Sequence, residues 1–318
     1  MRGVHLGIDC GSVTTKGVAL DEAGDLVTSF YARNHPGPID AIAKLLCHMR
    51  QNLGPTYEVM GVGATGSGRE LAAALVGADF VINEITAHAV ATLRLLPQVR
   101  TIIEIGGQDS KLILLDSTGV VDFSLNNICA AGTGSFLDHQ AERMGITVEQ
   151  LGQYGAFAER KARISGSCAV LAETDVIQKQ QMGYPVDEIC AGLCDTLARS
   201  FLTSVARGKT IRSPVAFQGG VAANEGMRRA FESVLSCEIH VPSNFAVMGA
   251  LGAANLAMKK RSWERSGFRG FDPPKAVERG QSFTCDGCEN HCEIVSLRQE
   301  DQVLAYLGSR CGKWSVTR

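Results

Sequence analysis

Hydrophobic and polar positions along the chain alternate between two periods. His5 aside, residues 4–8 are apolar or glycine and end at Asp9, the pattern of a buried strand. Gly11 to Thr15 reads as a tight turn, and residues 16–20 as a returning strand that closes on Asp21-Glu22-Ala23-Gly24. The design recurs: residues 101–105 form a strand, Gly106-Gly107-Gln108-Asp109-Ser110 a turn, and residues 111–115 a second strand ending at Asp116. Helical periodicity covers 41–53, 85–96, 136–144, 169–182, 189–206, 225–235 and 248–260. Strands alternating with helices predict an α/β fold, and two hairpins of one design predict two related domains. The expected boundaries are 1–95 with a returning helix at about 245–262, then 96–244. From 263 to 318 glycines and prolines interrupt a polar stretch with few core formers, so a small cysteine-rich extension is expected there.

Composition narrows the function. The chain has 318 residues, 45% of them hydrophobic, enough to bury two moderate cores. With 31 basic and 33 acidic residues, net charge −2 and no long like-charged run, nucleic acid is not an expected partner. No segment approaches the ~20 apolar residues of a membrane span, and the N-terminus lacks the pattern of a signal peptide. A soluble cytoplasmic protein is expected. Eleven cysteines in a reducing compartment then suggest metal ligation rather than disulfides.

The two turns carry the first chemistry. Gly7-Ile8-Asp9-Cys10-Gly11-Ser12-Val13-Thr14-Thr15-Lys16 lets backbone N–H groups and the hydroxyls of Ser12, Thr14 and Thr15 approach phosphate oxygens, with Lys16 adding charge. Asp9, at a strand end, is placed to hold Mg²⁺ or its waters. Gly106, Gly107 and Lys111 repeat these features, and Gln108 is a candidate positioner of an attacking water, with Asp109 beside it. Facing each other, the loops would clamp a triphosphate. Phe217-Gln218-Gly219-Gly220-Val221 ends a strand with a glycine pair that opens a helix, a place for adenosine against bare backbone. The Gly-Lys-Ser/Thr ending of a Walker loop is absent. On these residues the first ~260 positions resemble the superfamily of actin, sugar kinases and heat-shock chaperone ATPases. The resemblance implies a duplicated mixed sheet flanked by helices, binding ATP or ADP with Mg²⁺ and closing around it.

Cys129 and Cys168 each precede a helical segment. Helix dipole and free N–H groups there favour a thiolate and an anionic iron–sulfur core. A four-iron cluster takes four thiolates, so the missing pair could come from a second copy across a two-fold axis. The surrounding runs, Asn126-Asn127-Ile128-Cys129-Ala130-Ala131-Gly132-Thr133-Gly134-Ser135-Phe136-Leu137 and Gly166-Ser167-Cys168-Ala169-Val170-Leu171-Ala172-Glu173, closely resemble the two cluster motifs of the activator ATPases of 2-hydroxyacyl-CoA dehydratases and benzoyl-CoA-reductase-type systems. Blocks at 63–69, 83–88 and 242–250 resemble that family in the same order. The resemblance implies one [4Fe–4S] cluster per homodimer on Cys129 and Cys168, with Gly132 and Gly134 at the nucleotide. It also implies electrons from a ferredoxin or flavodoxin, delivered with ATP hydrolysis to a partner iron–sulfur dehydratase or reductase. A sugar or amino-sugar kinase of the same superfold is the alternative, with Asp109 as its base.

Cys285, Cys288, Cys292 and Cys311 form a terminal four-thiol set, compatible with a second iron–sulfur cluster, a zinc site with Cys or His291 ligands, or no metal. Cys10 reads as a small loop residue, Cys190 and Cys194 as a buried helix face, Cys47 and Cys237 as core, and His88 as a helix histidine.

Overall fold

The computed structural model of the protein describes residues 2–126, 132–166, 168–260, 265–272, 277–299 and 302–314. It opens with β1 (Arg2–Cys10), β2 (Thr14–Asp21), β3 (Leu26–Arg33), α1 (Pro38–Leu53), β4 (Tyr57–Thr65), α2 (Arg69–Val76), β5 (Phe80–Val81) and α3 (Glu84–Leu95). There follow β6 (Thr101–Ile105), β7 (Ser110–Leu115), β8 (Val120–Asn126), α4 (Gly134–Arg143), α5 (Val148–Phe157), α6 (Ala169–Gln181), α7 (Val186–Ser204), β9 (Val215–Gln218), α8 (Glu225–Leu235) and β10 (Ile239–His240). The chain ends with α9 (Met248–Lys259), β11 (Val277–Thr284), β12 (Glu293–Gln299) and β13 (Gln302–Leu307). Two compact units result, one of Met1–Ala87 with Gly249–Arg318, the other of His88–Met248.

Each unit is built on the same sheet. The first has strand order β3-β2-β1-β4-β5 and the second β10-β9-β6-β7-β8, the same order read from the opposite edge. Pairing senses match as well: β1 runs antiparallel to β2 and parallel to β4, and β6 antiparallel to β7 and parallel to β9. The repeated hairpin is therefore the visible part of a repeated five-stranded sheet. The central strands are buried on both faces, as β1 from Gly3 to Cys10 and all of β6 show, because helices cover both sides.

In the first unit, α1 lays Ile42, Leu45, Leu46, Met49 and Leu53 on the sheet, at the spacing of one helix face. Gly7 and Gly63 lie opposite each other in the β1–β4 register and make a flat pad. A Cβ on Gly7 would stand 1.9 Å from the Ala250 carbonyl oxygen, and one on Gly63 2.3 Å from that of Ala253, so α9 rests its backbone on the sheet there. In the second unit, α7 runs through the core with Ile189, Leu193, Leu197 and Phe201, and Phe231 stacks edge-on against both Phe201 and Phe217.

Two helices escaped the periodicity. The eight residues of α2 are too few to establish a period, and glycines 152 and 155 interrupt the apolar face of α5. Its capping box was readable, however: Thr147 accepts from the Gln150 backbone while the Gln150 side chain accepts from the Thr147 N–H. The extension holds more order than its composition implies. Its three-stranded antiparallel sheet, β11-β12-β13, inserts Leu297 into the core of the first unit, with Val277 and Leu304 packed beside it.

Candidate functional site

In the first hairpin, Asp9 and Lys16 are cross-strand partners, with Lys16 Nζ 3.3 Å from Asp9 Oδ2. The Lys16 side chain keeps 16% of its surface exposed. The turn between them is closed by the Gly11 N–H donating to the Thr14 carbonyl at 2.9 Å, leaving Ser12 exposed and Thr14 half-buried. Thr15 points inward instead: it is fully buried and donates its hydroxyl to Asn34 Oδ1 at 2.7 Å. Asn34 in turn donates to the Gly11 carbonyl at 2.8 Å and, through its backbone N–H, to that of Val13, so it clamps the loop from the end of β3. Nothing in the periodicity marked Asn34.

A second turn braces Asp9 from below. Gly66 has φ +92°, and a Cβ there would sit 2.5 Å from Asp9 Oδ1 and 2.4 Å from the Cys10 carbonyl oxygen. The Gly68 N–H donates to that carbonyl at 2.7 Å. Thr65, beside Asp9 in the β1–β4 register, has a buried hydroxyl with no partner among the described residues. Cys10 is buried, which pushes its thiol up, and it stays a neutral loop residue.

The second hairpin repeats the charged pair in a drier form. Glu104 and Lys111 face each other in the register, with Lys111 Nζ 2.7 Å from Glu104 Oε2 and 2.9 Å from Asp109 Oδ2. The Lys111 side chain is only 2% exposed. Gln108 stands exposed at the tip, between half-buried Gly107 and Asp109. Glu104 also lies under the glycine pair: Gly219 has φ +90°, and a Cβ on it would meet Ile105 O at 2.4 Å and Glu104 Oε1 at 2.6 Å. Glu104 thus joins the phosphate loop to the Gly219-Gly220-Val221 turn. The signal that marks Glu104 in the sequence is its place as a lone acid in the run Thr101–Ile105, seven residues before a lysine, which repeats the Asp9 and Lys16 pattern.

The loop is also tied to the cysteine-bearing helices. Gly134 and Ser135, which open α4, donate their N–H groups to the carbonyls of Gly106 and Gly107 at 2.9 and 2.8 Å. Gly134 sits so close that a Cβ would lie 3.0 Å from both Gly106 O and Val221 Cγ2. Gly132 is buried next to Ser110, whose buried hydroxyl has no partner among the described residues. Cys129, just upstream, lies outside the described residues. Cys168 is the N-cap of α6, in extended conformation, half-buried, with its side chain making no capping bond. Arg143 of α4 is salt-bridged to Glu173 of α6, and Val170 and Leu171 of α6, next to Cys168, are 68% and 52% exposed.

Among the described residues no three His, Cys, Asp or Glu side chains form a group able to hold a metal ion, and each described cysteine is a free thiol. In the extension, Cys285 and Cys292 are buried, Cys288 and Cys311 exposed. Cys190 and Cys194 are buried in the α7 core, as read from their spacing. Burial, with the Asp187 charge adding, pushes the Cys190 thiol up to about 12, and burial drives Cys194 higher still. Cys47 and Cys237 correct the reading of both as core. Cys47 is exposed because it falls off the buried stripe of α1, and Cys237 is only half-buried at the margin of its core. His88 is buried within α3. Among the described residues no helix is long and apolar enough to cross a membrane.

Known proteins share this arrangement. The chain is 35% identical over 254 residues to a 2-hydroxyisocaproyl-CoA dehydratase activator of Clostridioides difficile, covering 79% of this chain and 94% of that protein. It is 35% identical over 260 residues to the (R)-2-hydroxyglutaryl-CoA dehydratase activating ATPase of Acidaminococcus fermentans, covering 80% and 97%. The solved structure of the C. difficile activator with bound ADPNP superposes with a TM-score of 0.74 at 34% identity, over 81% of this chain and 95% of that one. The sequence profile of the BadF/BadG/BcrA/BcrD ATPase family matches residues 6–257, so the chain belongs to that family of ATPases.

Proposed function

We propose that this protein is an ATP-driven electron-transfer activator, a homodimer that delivers single low-potential electrons to a partner iron–sulfur dehydratase or reductase. The observation that supports it best is the pair of backbone bonds from Gly134 and Ser135 to Gly106 and Gly107, which fastens α4 to the second phosphate loop. The Arg143–Glu173 bridge then carries any displacement of α4 to α6 and Cys168. A nucleotide-binding loop has no need of such a link if its task ends with phosphate transfer.

In this reading both hairpins take the phosphates of ATP. Asp9 holds the Mg²⁺ ion or its waters, with Thr65 beside it as a spare hydroxyl, and Lys16 balances phosphate charge. Gln108 orients the attacking water, and Asp109, fixed by Lys111, sets the shape of its loop. Gly219, Gly220 and Val221 receive the adenosine.

The cysteine sites suit an iron–sulfur ligand as far as they are described. Cys168 ends in extended backbone at a helix N-terminus, its sulfur is not consumed by capping, and the apolar residues beside it are exposed, as a two-fold contact would require. With Cys129, which lies outside the described residues, one chain offers two candidate ligands, so a cluster shared by two chains supplies the one-electron carrier. Ferredoxin or flavodoxin is the proposed donor, and the cytoplasm the setting that keeps the thiols reduced.

Iron and acid-labile sulfide in anaerobically purified protein test the proposal. About two irons per chain, lost in Cys168→Ser, are expected for one four-iron cluster per dimer. Near-zero iron after reconstitution, or ATP-dependent phosphorylation of a sugar, would overturn it.

A further inference from the structure

The four cysteines of the extension take no part in the function proposed above, yet the fold brings the segments that carry them to one end of its sheet. Cys285 ends the β11 side of a hairpin and donates its N–H to the Cys292 carbonyl at 2.8 Å, which sets the two buried thiols across from each other. The turn between them carries Cys288, and the segment after β13 brings Cys311 to the same end of the sheet, where Trp314 reaches Cys285 Sγ and a Cβ on Gly287 would stand 3.0 Å from Lys313 Nζ. Trp314 anchors that segment, packing on Phe283 and Tyr306 with ring centroids 4.9 and 5.3 Å away.

Donors converge on the sulfurs. Cys285 Sγ accepts from the Gly287 N–H at 3.4 Å and from Trp314 Nε1 at 3.2 Å. Cys288 Sγ accepts from Asn290 Nδ2 at 3.6 Å, and the Ser309 hydroxyl lies 3.9 Å from Cys311 Sγ. A thiol has little need of two N–H donors; a metal-bound thiolate does, because they disperse its charge. The Cys-x-x-Cys turn, with the N–H of the residue before the second cysteine aimed at the first sulfur, is the knuckle that wraps one ion.

We propose that Cys285, Cys288, Cys292 and Cys311 bind a single zinc ion as a tetrathiolate that locks the extension. Binding releases the thiol protons to solvent, and no redox change occurs. One ion is favoured over a cluster because the Cys-x-x-Cys turn, with the Gly287 N–H on Cys285 Sγ, wraps a single metal with ligands about 2.3 Å away, whereas a four-iron core spreads its thiolates farther apart. The four sulfurs have yet to converge, since among the described residues no three ligand groups stand together. Closure needs the exposed Cys288 and Cys311 side chains to swing toward the buried pair. The staple also answers an energetic need: apart from Leu297 and its neighbours in the first unit's core, this sheet's core among the described residues is Cys285, Cys292 and Ile294 with Tyr306 and Trp314 against them.

The test uses full-length protein, wild type and Cys129→Ser/Cys168→Ser, so that iron at the proposed cluster is separated from metal in the extension. About one zinc per chain is expected in both, and cobalt added to metal-free protein should give the sulfur-to-cobalt charge-transfer absorption of a tetrathiolate. Cys288→Ser/Cys311→Ser should lose both signals, while the wild-type cobalt spectrum decides the matter even if that variant folds poorly. Absence of zinc and of the cobalt spectrum would overturn the proposal. So would iron with sulfide persisting in Cys129→Ser/Cys168→Ser protein, or a Cys288–Cys311 disulfide in anaerobically prepared chains.

Discussion

Two acid–lysine pairs of the same spacing do different work because their burial differs. Lys111 is almost wholly enclosed and bridges Glu104 and Asp109, so the pair is a structural tie. Glu104→Ala removes its best-placed partner, and a loss of about 3 kcal/mol in chemical denaturation is expected. Lys16 keeps solvent access beside Asp9, and in the proposed function its charge faces phosphate. Lys16→Met should weaken ATP binding roughly 30-fold in calorimetry, the equivalent of about 2 kcal/mol for one charge-assisted contact. Cys190 gives a pH signature. Its thiol holds its proton up to about 12 in the folded chain against an ordinary 9.0, so its stabilising contribution is intact below pH 9 and declines as pH rises toward 12. The alkaline loss of stability should therefore be shallower in Cys190→Ala, by up to about 1.4 kcal/mol per pH unit in that window.

At the scale of elements, glycine decides where backbone meets backbone. The Gly7 and Gly63 pad lets α9 approach β1 and β4 closer than any side chain permits, and Gly252 of α9 allows the same against Ala87 of α3, where a Cβ would stand 1.8 Å from a carbonyl oxygen. Gly7→Ala has no flexible neighbour to displace. A drop of about 2–3 kcal/mol in unfolding free energy is expected, with loss of ATP binding because Asp9 lies two residues on. The sequence showed seven of the helices and both phosphate hairpins, since long amphipathic stretches and polar turns are local signals. It missed α2, α5, the strands β3, β4, β5, β8 and β10, and those of the extension, where short length, glycines or polar strand faces hide the period.

For the whole molecule, the duplicated sheet supplies two versions of one hairpin, and the second is bonded to the start of α4, which the Arg143–Glu173 bridge links to α6. Arg143→Ala should test that route. ATP hydrolysis is expected to persist, while the nucleotide-dependent shift in the potential of the proposed cluster should shrink, as read by potentiometric titration with and without ADP. An unchanged shift would place the coupling elsewhere.

By itself the sequence determined the α/β class, the repeated hairpin and the acid and glycine positions at each of its turns, because each depends on residues close together in the chain. Only the tertiary structure decided what Asn34, Gly66 and Glu104 do. Asn34 reaches back 23 residues to Gly11, and Glu104 lies under Gly219, more than a hundred positions away. Thr15 shows the same limit: its place in the loop suggests a phosphate ligand, but the strand twist turns its hydroxyl inward to Asn34. Such roles are set by which backbones a sheet brings side by side, and that pairing is a property of the folded chain rather than of any local stretch.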